Sequence, residues 1–240
     1  MSDNPIIFGM LRVKNEGRWI DEVLQSIFPI CQKVFVLDDH STDGTPELCE
    51  WVDPRITVYR STFDGLNESR DKNFLLERIT EHVPPEHLGV DRSPYWVLAI
   101  DGDEVLHPDG KAAIVEFCRT TDSHVAKLPI WYLWNSRDMM RVDGVYRNFV
   151  RPSLFQINRK FTFMTTICGA KGENLHCSSA PQEIMYDAVR CEAPLLHLGY
   201  MDRADRVRKY DWYNRIDPNN EKYEDCYRHI VIGDLFPATA

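Results

Sequence analysis

Short apolar runs alternate with stretches of helical periodicity through the first part of this chain, and that alternation restricts it to few folds. Pro5 to Val13 reads as a strand and runs into the polar Lys14-Asn15-Glu16-Gly17. Trp19, Ile20, Val23, Leu24, Ile27 and Phe28 then recur at helical spacing up to Pro29. Val34 to Leu37 is a second strand ending in Asp38-Asp39-His40-Ser41-Thr42-Asp43-Gly44-Thr45, and Pro46 suits the first turn of a helix that runs through Val52. Ile56 to Tyr59 is a third strand, Glu68 to His82 a long helix that Pro84-Pro85 ends, and Tyr95 to Ile100 a fully apolar fourth strand. Strands alternating with helices imply parallel pairing through crossovers, with the polar clusters after strands one, two and four gathered on one edge of the sheet.

The fourth strand stops abruptly in Asp101-Gly102-Asp103-Glu104. Ligands of open α/β sheets bind at the carboxyl ends of strands. Two carboxylates at positions i and i+2 of an extended chain face one side, and the glycine between them lets a phosphate or backbone come close. Hard oxygens of this kind suit Mg²⁺ or Mn²⁺ held together with substrate phosphates, which points to a nucleoside diphosphate bound through a metal. The competing reading is a solvated turn, since Asp-Gly is a common turn pair.

Composition narrows the partners. A net charge of −9 argues against nucleic acid, whose backbone demands a concentrated basic surface. It also means that a diphosphate held among aspartates needs a divalent cation to offset the repulsion. No apolar run approaches the ~20 residues of a bilayer-spanning helix, and the first residues carry no signal peptide. The expectation is a cytoplasmic protein, with peripheral membrane contact left open. The 240 residues suit a single domain over 1–240, with a nucleotide- and metal-binding half (1–110) and an acceptor-side half (111–240) that ends in a helix. The seven cysteines include no Cys-x-x-Cys pair, so reduced thiols are expected rather than a zinc site or disulfide framework.

Beyond residue 110 the pattern is weaker. Gly110 to Arg119 reads as a helix, Val125 to Trp134 as a strand pair interrupted by Pro129, and residues 136–194 as irregular strands rich in aromatics. Arg203 to Arg215 reads as a helix in which Arg203, Arg206, Arg208, Lys209 and Arg215 outnumber Asp205 and Asp211. It is either a solvated face or a contact for phosphate, an acidic acceptor or a membrane surface.

Three segments, Val13 to Glu16, Val36 to Thr45 and Leu98 to Glu104, resemble in order and spacing the family 2 glycosyltransferases of the GT-A fold. The resemblance implies a Rossmann-like, mostly parallel central sheet flanked by helices, with an irregular C-terminal acceptor region. It implies inverting, metal-dependent transfer of a sugar from a nucleotide-diphosphate donor, a UDP-sugar, to the hydroxyl of a carbohydrate or glycoconjugate acceptor. Arg12, Val13, Glu16 and Asp39 would cradle the nucleobase, with Asp39 accepting the imide N–H of uracil. Lys72 would reach the sugar nucleotide, Asp101 the ribose or the Mn²⁺ or Mg²⁺ ion, and Asp103 the ion directly. His197 is a further metal ligand or a satisfied core histidine. For the catalytic base the sequence offers Glu173, in Lys171-Gly172-Glu173-Asn174, and Asp143, in Arg141-Val142-Asp143-Gly144, either of which could equally be a turn residue. Trp131, Tyr132, Trp134, Tyr146 and Phe149 are available as sugar-facing aromatics or as core, and the basic helix is expected to help close the acceptor side. The alternatives kept open are a non-catalytic nucleotide-sugar-binding module and a sugar-nucleotide nucleotidyltransferase.

Overall fold

The computed structural model describes residues 4–168, 174–217, 227–232 and 235–237. Strand β1 (Ile6–Val13) lies between β2 (Cys31–Asp38) and β4 (Tyr95–Ala99), both parallel to it, and β3 (Ile56–Arg60) extends the sheet in parallel beyond β2. The crossovers carry α1 (Ile20–Ile27), α2 (Thr45–Val52) and α3 (Glu68–Thr80), as the alternating periodicity predicts.

The second half completes the sheet from its other side. After β5 (Glu104–Leu106) and α4 (Gly110–Thr120) come β6 (Val125–Tyr132), β7 (Met139–Arg141), β8 (Val150–Gln156), β9 (Thr165–Cys168), β10 (Asn174–Cys177), β11 (Val189–Arg190), β12 (Leu195–His197), α5 (Arg203–Ile216) and β13 (Leu235–Pro237). The main path runs β3-β2-β1-β4-β8-β6-β12-β5, with β11 beside β6, while β9–β10 and β7–β13 form separate antiparallel pairs. β8 is antiparallel to both β4 and β6, and β5 is antiparallel to β12.

Two cores follow from the strand pleat. Ile7 and Leu11 of β1 and Trp96 and Leu98 of β4 point to the face covered by α1 and α4, with Ile20, Leu24, Ile27 and Ile114. Phe8, Met10, Val97 and Ala99 point to the opposite face, covered by α3 through Leu75, Leu76 and Ile79.

Pro129 does not interrupt β6, contrary to the sequence expectation. β11 pairs with Ala126 and Lys127, and β12 begins at Ile130, so Pro129 falls in the gap between the two on that edge. Its missing N–H therefore costs no ladder bond, and on the other edge Ile130 donates to Phe149 O. Asp101 to Asp103 is not extended either. It is a turn closed by the Glu104 N–H on Asp101 O at 3.1 Å, and β5 starts at once.

Candidate functional site

The loop after β1 is sewn to the loop after β2, residue by residue. The Asn15 N–H donates to Ser41 Oγ at 2.8 Å, Glu16 N–H to Thr45 Oγ1 at 2.9 Å, and Gly17 N–H to Asp43 Oδ2 at 2.9 Å. In return the Thr42 N–H donates to Asn15 Oδ1 at 2.8 Å. Gly44, at φ 82°, supplies the left-handed turn that leads into α2. Burial would raise the Asp43 carboxyl, but the Thr45 hydroxyl and the Gly17 and Thr45 amides outweigh that and hold it below its ordinary range. The Ser-Thr-Asp-Gly-Thr block thus fixes the backbone of the neighbouring loop, and Asp39 stands beside it.

Asp39 is buried at the end of β2 and accepts from Arg12 Nη2 at 2.6 Å and Lys14 Nζ at 3.3 Å. Arg12 Nε donates to Asp71 on α3 at 2.8 Å, so one guanidinium bridges the carboxyl ends of β1 and β2 to the helix on the far face. With Lys72, Ala99, Asp101 and Ser179, Arg12 lines a recess at the ends of β1 and β4.

The acidic turn after β4 divides its carboxylates between two cations, Arg151 and Lys209. Asp101, whose side chain is 47% exposed, meets Arg151 Nη1 of β8 at 2.7 Å. Burial raises its carboxyl, but Arg151 and then Lys72 more than offset this. Glu104, 1% exposed, pairs with the same guanidinium through Oε2, which also accepts the Asp101 N–H at 3.0 Å, while Oε1 has no hydrogen-bond partner among the described residues. Burial pushes this carboxyl up to about 7 despite Arg151. Buried Asp103 meets Lys209 Nζ of α5 at 2.8 Å and lies 3.7 Å from His197 Nε2 of β12. Against the upward push of burial, Lys209 and then His197 hold Asp103 far below the usual carboxylate range. Glu16 packs over Gly102, where a β-carbon would come within 2.7 Å of Glu16 Cγ. Burial, and next the charge of Asp103, push the Glu16 carboxyl up to about 8. Gly102 thus admits the side chains of Val13 and Glu16 from β1 and its loop.

For the divalent cation that the resemblance implies, the donors at hand are Asp103 and His197. Asp103 Oδ2 and His197 Nε2 face each other, and burial pushes the imidazole down to about 4, leaving it neutral as a ligand must be. His197 Nδ1 is buried without a hydrogen-bond partner among the described residues. These donors fit an ion such as Mn²⁺ or Mg²⁺ provided Lys209 turns aside. Among the described residues no three His, Cys, Asp or Glu groups cluster to hold one, so the remaining ligands would be water and substrate phosphate.

The other residues singled out in the sequence fall as follows. Val13 is buried, and its carbonyl accepts the Asp39 N–H at 2.8 Å. Lys72 is 7% exposed and donates to Ser178 O at 3.3 Å, with Glu68 Oε1 at 3.5 Å. Asp143 has both oxygens on Arg141, at 2.5 and 2.9 Å. Glu173 lies outside the described residues. Of the aromatics, Trp134 and Tyr146 are core, the former with the Arg141 and Arg206 guanidinia 4.7 and 4.1 Å from its ring. Tyr132 packs on His197, Tyr200 and Phe149 beside the acidic turn, whereas Trp131 contacts His107. Arg206 is also core, donating to Tyr200 O, Met201 O and Asn135 Oδ1. Lys209, expected on the acceptor side, stands on Asp103. Cys31, Cys49, Cys118, Cys177 and Cys191 are free thiols, and among the described residues no helix is long and apolar enough to cross a membrane.

Sequence reasoning missed Arg151, Asp71 and the partnership of Glu104. Arg151 sits on a strand carrying Pro152, in a region without clear alternation, and the signal that would have found it is the need for a cation beside four carboxylates.

The sequence profile described as Glycosyl transferase family 2 matches residues 11–173. Uncharacterized proteins of Mycobacterium tuberculosis and Mycobacterium bovis are each 26% identical over 226 residues, covering 89% of this chain and 51% of theirs. The chain therefore spans about half the length of these curated relatives. The crystal structure of residues 1–349 of TarS from S. aureus matches 94% of this chain and 69% of its own, at 13% identity and a TM-score of 0.50. That likeness concerns the fold, a mixed α/β GT-A architecture with a central sheet flanked by helices.

Proposed function

Because the chain belongs to glycosyl transferase family 2, we propose that it moves a sugar from a nucleoside-diphosphate donor, a UDP-sugar, to the hydroxyl of a carbohydrate or glycoconjugate acceptor. The observation that carries this reading is convergence. Arg12, bonded to Asp39, shares one recess with Lys72 and Asp101 at the carboxyl ends of β1 and β4, where doubly wound sheets bind nucleotides.

In this reading the clamped β1 loop and Asp39 hold the base, and Asp39 accepts a donor N–H of the uracil ring. Asp101, half open to solvent, faces the ribose. Asp103 and His197 hold a Mn²⁺ or Mg²⁺ ion, which when bound stabilises negative charge on the departing diphosphate. Transfer is a single inverting displacement, with a carboxylate taking the proton of the acceptor hydroxyl. We assign that role to Glu173, because Asp143 would first have to leave its two-point pair with Arg141. Tyr132 and Phe149 supply aromatic faces for the sugar rings, and the half from residue 111 onward forms the acceptor side.

The test is incubation of the purified chain with a panel of UDP- and GDP-sugars and Mn²⁺, followed by product analysis. Slow release of UDP from one UDP-sugar is expected. Release of pyrophosphate from a nucleoside triphosphate and sugar phosphate would move the chain to nucleotidyl transfer. Binding of a UDP-sugar with no turnover in any acceptor mixture would make it a non-catalytic module.

A further inference from the structure

Helix α5 supplies the ammonium on Asp103, and the way it is mounted suggests more than charge neutralisation. Arg206 is locked by three hydrogen bonds of 2.7–2.8 Å to Tyr200 O, Met201 O and Asn135 Oδ1, and its guanidinium lies 4.1 Å from the centre of the Trp134 ring. Lys209 follows three residues later on the same helix face. Its side chain, 24% exposed, reaches past Gly199 to Asp103 Oδ2. A β-carbon at position 199 would stand 1.9 Å from Asp103 Oδ2 and 2.5 Å from Lys209 Nζ, so only glycine leaves this passage open. The ring of Tyr200 flanks the ammonium at 5.1 Å.

An ammonium has three N–H donors. Among the described residues Lys209 gives one of them to Asp103, which leaves donors for a second anion at the same spot. Asp101, two residues earlier, is already served by Arg151, and Lys209 carries its ammonium on a flexible four-carbon stem. We propose that Lys209 is a diphosphate-binding residue of the donor site, a protein-borne cation that α5 carries to the nucleotide alongside the ion at Asp103. This rests on the donor reading above, and it places the basic helix on the donor rather than on the acceptor.

The experiment compares UDP with uridine by titration calorimetry, in Mn²⁺ and again in EDTA. The parent, Lys209→Met, and Lys209→Gln, which keeps a hydrogen-bond donor for Asp103, are each measured. Loss of an ion-assisted contact predicts that both variants bind UDP about ten-fold or more weakly, in either buffer, with uridine affinity unchanged. Equal UDP affinity in the parent and both variants overturns the proposal, and so does an equal loss for UDP and uridine, which marks a merely structural lysine. A loss seen in Mn²⁺ and absent in EDTA also overturns it, by showing that Lys209 acts only through the metal. If the parent itself binds no UDP in either buffer, the donor reading has failed, and this proposal falls with it.

Discussion

Replacing Arg151 by Met removes the one side chain that serves two carboxylates of the acidic turn. Its guanidinium meets Asp101 Oδ2 at 2.7 Å and Glu104 Oε2, and Glu104 is 1% exposed with its other oxygen already unpartnered among the described residues. Breaking a buried ion pair by deleting one member costs about 3–5 kcal/mol. Asp101 contributes little of this, since its side chain is 47% exposed and water takes over. Glu104 escapes part of the rest by taking a proton, its carboxyl being already pushed up to about 7 with Arg151 in place. About 2–3 kcal/mol is left at pH 8, a fall in Tm of roughly 4–12 °C for a domain of this size.

The pH dependence has a definite sign. Without Arg151 the folded-state pKa of Glu104 rises further above its ordinary 4.5. An acid with a raised folded pKa costs stability progressively as pH climbs from its unfolded value to its folded one. The deficit of the variant against the parent should therefore be small at pH 5.5 and grow toward pH 8. The double variant Arg151→Met, Glu104→Gln should recover at least half of it. Urea denaturation of the four proteins of the cycle at the two pH values measures each quantity. A single variant within about 0.5 kcal/mol of the parent at pH 8, the scatter of ordinary surface changes, would refute the reasoning. No recovery in the double variant would refute it equally.

Asp43→Ala removes the acceptor of the Gly17 N–H and the Thr45 side chain. It should destabilise by about 1 kcal/mol, as for loss of a cap, and speed amide exchange at Gly17, followed by hydrogen-exchange mass spectrometry or NMR; unchanged exchange there would mean that Asp43 does not clamp the loop. His124 Nδ1 donates to Asp187 Oδ2 at 2.8 Å, and Nε2 to Asp91 O at 3.0 Å. Burial lowers the imidazole, but the Asp187 bond and the other contacts raise it above 6.5 overall. Its charged-state contribution is then fully present below pH 6.5 and lost as pH rises through the folded value, so His124→Gln should lower Tm more at pH 5.5 than at pH 8.5, and an equal drop at both would show the pair to be uncharged.

The first half of the fold was legible because its signals are local. Strand runs such as Val34 to Leu37 and helix stops such as Pro84-Pro85 act within a few residues, and the structure places β2 and α3 there. Asp39, Asp101 and Asp103 were also readable, since each ends or follows a strand. What escaped depends on contacts across long separations. Arg151 and Asp101 are fifty residues apart in sequence and joined only by the pairing of β8 with β4. The basic helix was visible, but which of its cations reaches the site depends on helix phase. Arg206 and Lys209 share the buried face, while Arg203 and Arg208 face solvent. Pro129 misled for the same reason, because its cost depends on a gap between β11 and β12 that no local pattern announces.

Calorimetric titration of UDP into the parent and into Asp103→Asn, with and without Mn²⁺, tests the donor site most directly. Asp103 carries the buried carboxylate that faces His197 across 3.7 Å, and an amide there loses one charge and one metal bond. The account predicts that Mn²⁺ tightens UDP binding by the parent about ten-fold or more and leaves the variant unchanged, while uridine affinity stays the same in both. Equal enhancement by Mn²⁺ in parent and variant would contradict it.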